Sequence, residues 1–243
     1  NASVSSEKLT EAAAALAKKP GKIAETKGDV DKALKGAAKT LDAVYTLPFQ
    51  AHATMEPMSC VAEVRKDGCD LWVGTQGQES LQKAAAKVTG LPVSSVAVHT
   101  TYLGGGFGRR FETDFGIQAV EIAKAMPGVP IKLLWSREDD IGHDFYRPAS
   151  YSALKGGVGK DGKPVAWSHR IVAPSIFSRV FPNMVKEGID HAAVEPEHEL
   201  PADGGRGARC CRVGAHHRAP PVTRQLQGAH LRSSAAGAGD RHE

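Results

Sequence analysis

A chain of 243 residues can hold one or two domains with a real hydrophobic core. Hydrophobic residues make up 41% of it, as suits a globular protein, and no run reaches the roughly 18 consecutive apolar residues of a membrane-spanning helix. The 31 basic residues nearly balance 27 acidic ones, so charge gives no argument for nucleic acid as a partner.

Residues 1–42 are rich in Ala and Lys. Helices are expected over Glu7–Lys18 and Val30–Leu41, with Asp29 as the N-cap of the second and Pro20-Gly21 between them. Neither has enough large apolar residues to form a core alone. Val44–Thr54 has strand character, and Glu56-Pro57 turns the chain. Ser59–Arg65 and Leu71–Thr75 read as a hairpin about Lys66-Asp67-Gly68. Cys60 and Cys69 flank that hairpin, and Cys210 and Cys211 are adjacent. None has zinc or iron–sulfur spacing, so buried or free thiols are expected. Gln78–Thr89 carries a helical stripe of Leu81, Ala84, Ala85 and Val88, ended by Gly90 and Pro92.

The segment Thr101-Tyr-Leu-Gly-Gly-Gly-Phe-Gly-Arg-Arg-Phe-Glu112 follows. A strand over Val96–Leu103 is expected to enter a loop over Gly104–Arg110, and a helix over Glu112–Met126 to leave it. Glycine-rich main chain at a strand-to-helix turn, beside Arg109 and Arg110, suits a polyanion such as a pyrophosphate. A tight turn without a ligand fits the glycines equally well. No Gly-Lys-Ser/Thr follows, and Arg109 breaks the G-x-G-x-x-G spacing, so neither common phosphate motif is present. Farther on come a short buried strand over Ile131–Ser136 and a hairpin, Tyr151–Val158 with Pro164–Ala173, about Lys160-Asp161-Gly162. Paired strands alternating with two helices indicate an α+β fold.

The composition then changes. All 17 lysines lie at or before Lys186, and residues 195–243 lack Phe, Trp, Tyr, Ile and Met. Pro201–Glu243 shows no helical or strand period, so this tail is expected to stay unordered and outside the fold. Sudden enrichment in Arg, Ala, Gly, Pro and His is what a shifted reading frame in a GC-rich gene would give. A nucleic-acid arm is disfavoured, because the tail is nearly neutral and has no aromatic residue.

Two further segments, Gln50-Ala-His-Ala-Thr-Met-Glu-Pro-Met58 and Leu71-Trp-Val-Gly-Thr-Gln-Gly-Gln78, complete a pattern with the glycine cluster. In this order and spacing the chain resembles the large, molybdenum-binding subunit of the xanthine dehydrogenase/aldehyde oxidase family, in its isoquinoline 1-oxidoreductase β-subunit branch. The resemblance covers roughly residues 28–190. It implies a truncated molybdopterin-binding domain of mixed sheets and helices at residues 44–194, preceded by a remnant of another domain at 1–43 and followed by the anomalous tail at 195–243. Starting on Asn rather than Met, the chain reads as a fragment or a processed product.

The resemblance implies molybdopterin, in its cytosine dinucleotide form, with molybdenum as cofactor. The cofactor-binding residues it points to are Gln76, Gly105, Gly106, Phe107, Gly108, Arg109 and Arg110. Gln76 matches a Gln that hydrogen-bonds an oxo ligand of the metal. Phe107-Gly108 matches a Phe-Gly whose main chain approaches the metal's apical ligand, while Phe107 walls the pocket or anchors the turn as a core residue. Arg109 and Arg110 depart from a common Gly-Gly-Lys-Glu form and are expected to bind phosphate or face solvent, and Glu112 falls one residue later than the Glu of that form. His52 and Glu56 are expected to be structural. Asp139, Asp140, His143 and Asp144 read as a solvated, hydrogen-bonded loop. The family holds its metal through the pterin dithiolene, and its catalytic Glu and a further Arg segment lie downstream, so no residue here is assigned as catalytic or as a metal ligand. The implied activity of the parent protein is hydroxylation of an N-heterocycle or aldehyde with oxygen from water. Electrons would leave through iron–sulfur clusters of a small [2Fe-2S] subunit, with cytochrome c as a further acceptor, in a bacterial periplasm in preference to the cytoplasm. A pyrophosphate-binding module without redox chemistry and a non-functional truncated product are the alternatives.

Overall fold

The computed structural model describes residues 5–194 in full and 208–216 in their main chain. The chain divides into two compact units, one running Ala51–Arg147 and the other drawn from the chain on both sides of it.

In the central unit, β3 (Ser59–Val64) and β4 (Cys69–Val73) form the expected hairpin, with Ala62 opposite Leu71 and Val64 opposite Cys69. The two-residue period of a strand turns Cys60, Ala62, Val64, Cys69, Leu71 and Val73 to one face, and all six are buried. Helix α3 (Gln78–Thr89) then returns the chain so that β5 (Val96–Thr100) lies parallel to β4. On the other side, β6 (Ile131–Leu134) pairs antiparallel with β3, giving the order β5-β4-β3-β6. As an edge strand β6 alternates, with Lys132 and Leu134 exposed, rather than being buried as expected. Helices α3 and α4 (Asp114–Ala125) cover the apolar face through Leu81, Ala85, Phe115, Ala119, Val120 and Ala123. The expected helix over Glu112–Met126 thus starts two residues later, and β5 stops at Thr100. A single 3₁₀ turn, Arg109–Phe111, precedes α4. Helix α5 (Arg137–Gly142) opens on a capping box between Ser136 and Asp139.

The other unit is a five-stranded sheet in the order β1-β9-β8-β7-β2. Its strands are β1 (Lys22–Lys27), β2 (Lys39–Leu47), β7 (Ser150–Val158), β8 (Pro164–Pro174) and β9 (Ala208–His216). The β7–β8 hairpin lies where the Lys-Asp-Gly turn placed it. Helix α1 (Ser6–Ala17) forms as expected. Asp29 caps α2 (Val30–Lys35), its carboxylate accepting the Lys32 N–H at 2.9 Å. The helix expected to reach Leu41 stops at Lys35, because Lys39–Leu47 is taken by a nine-residue ladder with β7.

The tail also departs from expectation. Ala208–His216 is a strand, antiparallel to β1 and parallel to β8. A strand flanked on both sides draws its hydrogen bonds from the main chain, which needs no apolar alternation in its own sequence. The expectation for residues 195–207 and 217–243 lies outside the described residues.

Candidate functional site

Strand polarity assembles the site. In the sheet of residues 51–147, β4 and β5 end at the edge where the antiparallel β3 begins. The segments 51–58, 74–77 and 101–113 therefore meet there, at the carboxyl ends of the parallel pair.

Gln76 joins two of them. Its N–H donates to the Arg110 carbonyl at 3.0 Å, and its side-chain Oε1 accepts the Gly108 N–H at 3.1 Å. The expected approach of Gln76 to the Phe107-Gly108 main chain is therefore present. The Gly108 N–H also fixes which end of the carboxamide is which: the oxygen faces the loop, and the NH₂ has no protein acceptor among the described residues. Gly106 is what lets the two segments touch, since a Cβ there would lie 2.4 Å from Gln76 Oε1.

The loop itself is strained. Gly105, Phe107 and Gly108 all have positive φ, at 98°, 53° and 96°. For Phe107 this costs on the order of 1–3 kcal/mol. Its ring is not a core anchor, because 73% of the residue is exposed. The bonds made at Gly104, Gly108 and Arg109 leave the N–H groups of Gly105, Gly106 and Phe107 without a protein acceptor among the described residues. Main chain of this kind, with free donors and left-handed residues, suits an electron-rich ligand atom.

Arg109 and Arg110 behave differently from both expectations for them. Neither faces solvent, and neither guanidinium is free for a phosphate, because both are buried among protein acceptors. Arg109 grips Asp114 with two bonds of 2.9 and 2.8 Å. Its Nε lies 3.1 Å from Asp144 Oδ1 with an alignment too poor for a hydrogen bond, so that contact is an ion pair only. The rings of Phe115, Trp135 and Phe145 enclose it at 5.4–5.9 Å. Arg110 donates to the carbonyls of Gly105, Gly74 and Glu56 and to the Glu56 carboxylate.

Glu56 holds the loop and His52 holds Asp144, both by contacts of a structural kind. Glu56 Oε2 accepts the Gly104 N–H at 2.8 Å, and its Oε1 accepts the Ser59 hydroxyl at 3.0 Å. The His52 main-chain N–H and ring Nδ1 both meet Asp144. Burial alone would push the Asp144 carboxyl up, but the His52 bonds and Arg109 together hold it below the ordinary carboxylate range. The segment around it is less solvated than expected: Asp140 and Asp144 are buried, and Asp140 pairs with Arg137 at 2.7 Å. Asp139 is the capping-box partner of the N-cap Ser136, and the His143 Nδ1 meets its carbonyl at 3.0 Å. Among the described residues no group of three His, Cys, Asp or Glu side chains could hold a metal ion. The pairings Glu56–Arg110 and Asp144–Arg109 were not legible in the sequence, where only the presence of unlike charges signalled them.

The donors that remain free, the Gln76 NH₂ and three main-chain amides, are all neutral. Such a set fits a metal already ligated by its own organic cofactor, to which the protein adds hydrogen bonds rather than ligands.

The sequence profile of the molybdopterin cofactor-binding domain matches residues 16–189. The chain is 34% identical over 162 residues to the isoquinoline 1-oxidoreductase subunit beta of Brevundimonas diminuta, an alignment covering 61% of this chain and 21% of that one. It is likewise 34% identical over 143 residues to the aldehyde oxidoreductase molybdenum-binding subunit PaoC of Escherichia coli O157:H7, covering 58% and 19%. Among solved structures, quinoline 2-oxidoreductase from Pseudomonas putida 86 superposes with a TM-score of 0.58 at 14% identity, over 83% of this chain and 26% of that one. Aldehyde oxidoreductase from Desulfovibrio gigas gives 0.57 at 16%, over 77% and 20%. The chain spans about a fifth of the length of the curated relatives it matches.

Proposed function

The chain belongs to the molybdopterin cofactor-binding domain family, and from that premise we propose that it supplies one wall of the cofactor site in the large subunit of a molybdenum hydroxylase. The carrying observation is the Gln76–Gly108 bond, which leaves the carboxamide NH₂ without a protein acceptor among the described residues, beside a loop with free amides. When bound, the cofactor supplies two-electron redox chemistry and the transfer of oxygen from water to carbon. Gln76 would help hold it by donating a hydrogen bond from Nε2 without adding charge to the site. The main chain of Gly105, Gly106, Phe107 and Gly108 lines the same side, and the exposed Phe107 ring shields it from water. Arg109 and Arg110 contribute by holding the loop and not by touching the cofactor's phosphates. That arrangement also weakens the alternative of a pyrophosphate module, which would need a cation at the loop.

The substrate in this reading is an N-heterocycle or an aldehyde. The cofactor is the cytosine dinucleotide form. Electrons pass to iron–sulfur clusters on a small subunit and on to cytochrome c, in the periplasm. The names of the similar proteins support the substrate classes and molybdenum. The test is to produce the full-length protein containing this chain in a cofactor-making bacterium, then measure bound molybdenum and released pterin. About one of each per protein is expected. Protein that folds but carries neither would overturn the proposal.

A further inference from the structure

Arg110 is a fully buried cation that touches no ligand surface, yet it reaches every segment of the site. Its Nε donates to the Gly105 carbonyl at 2.9 Å, its Nη1 to the Gly74 carbonyl at 3.1 Å and its Nη2 to the Glu56 carbonyl at 3.0 Å. The same Nη2 meets Glu56 Oε2 at 2.9 Å, and that oxygen also takes the Gly104 N–H. The main chain of Arg110 completes the pattern, its carbonyl accepting the Gln76 N–H and the Thr75 hydroxyl, both at 3.0 Å. One residue thus ties down the strand exit that carries Gln76 and the loop that carries Gly105 and Gly108.

Burying a charge is unfavourable, and an apolar residue of similar size would often fill such a place as well. What the apolar residue could not do is hold three carbonyls from separate segments at fixed separations. We propose that Arg110 and Glu56 are positioning residues for the cofactor contact: they set the distance between the Gln76 carboxamide and the Gly105–Gly108 main chain. Lysine at 110 keeps the charge but lacks the planar fork, so it cannot span all three carbonyls. Glutamine at 56 keeps an oxygen for Gly104 and Arg110 while its NH₂ turns to Ser59, so it preserves the shape. The inference rests on the molybdopterin reading for its consequence, but the clamp itself is a property of the polypeptide.

The test uses the full-length protein with Arg110→Lys, Glu56→Ala and Glu56→Gln. Val120→Ala, in the core away from the loop, is a control for lost stability. Bound molybdenum and pterin, the molybdenum(V) EPR line shape and the thermal transition are measured for each. Arg110→Lys and Glu56→Ala should retain cofactor about 10-fold more weakly, in the range seen when groups supporting a metal's contacts are removed, with a changed EPR line shape. Glu56→Gln should restore both, and Val120→Ala should lower the transition while keeping the cofactor. Hydrogen exchange of the Gly108 amide in cofactor-free protein reads the clamp alone and should quicken about 10-fold in Arg110→Lys and Glu56→Ala. Unchanged cofactor content and unchanged Gly108 exchange in both variants would overturn the inference. So would an equal cofactor loss in Val120→Ala. Should Arg110→Lys not fold, Glu56→Ala decides alone. Wild-type protein without cofactor would instead sink the functional reading, and the exchange data would still judge the clamp.

Discussion

At the scale of single residues, close approach at Gly106 is the sharpest constraint. Gly106→Ala would place a Cβ 2.4 Å from Gln76 Oε1, so the carboxamide must leave the Gly108 N–H. Stability should fall by about 1–3 kcal/mol, as overpacking does, and cofactor content should fall with it. Thermal unfolding and molybdenum analysis check both. Asp144 gives a pH prediction. Its folded carboxyl sits below the ordinary range, so its ionised form stabilises the fold above the unfolded value and that contribution is lost as pH falls through the folded one. Below about pH 4, wild-type protein should therefore lose stability more steeply than Asp144→Asn in acid melts. Burial pushes the Cys60 and Cys69 thiols up to about 12 and about 11. Both should resist alkylation at pH 8 in the native protein and react once it unfolds, as peptide mapping would show. The glycine loop was legible as a turn because main-chain freedom leaves a mark in sequence, whereas Gln76 was pointed to by the resemblance alone, and the structure brings the two together. The pairing of the arginines was not legible, because Glu56 lies 54 positions from Arg110 and nothing local says which way a guanidinium turns.

At the scale of elements, legibility followed the range of the contacts. Helix α3 matched its expected limits because its apolar stripe and Gly90 are local signals. The hairpins about Lys66-Asp67-Gly68 and Lys160-Asp161-Gly162 were found for the same reason. Strand β1 was missed because its partner is residues 209–213, far along the chain, and its own burial does not alternate. Helix α4 offers a test of packing against propensity. Gly116 faces Leu81, and a Cβ there would lie 2.7 Å from Cδ1 of that fully buried side chain. Helix propensity favours Gly116→Ala by up to about 1 kcal/mol, but the overpacking of α3 against α4 costs about 1–3 kcal/mol. A net loss in denaturant unfolding is expected, and a gain would mean that Leu81 can yield.

For the whole molecule, a compact unit of 51–147 is set, in chain order, within a second one. Continuity in sequence did not report continuity in space, because the sheet of the second unit pairs Lys39–Leu47 with Ser150–Val158. The 243-residue chain alone, supplied with cofactor, is expected to turn over neither aldehydes nor N-heterocycles, because one wall of a site is not preorganised without the rest. Turnover by the purified chain would show that a catalytic base has been overlooked in it. The central claim, that Gln76 and the glycine loop face the cofactor together, is tested most directly by amide hydrogen exchange on the full-length protein with and without its cofactor. The Gly105, Gly106 and Phe107 amides should be protected only in the loaded form, while amides of α3 stay unchanged. Equal exchange of those three amides in both forms would contradict the account.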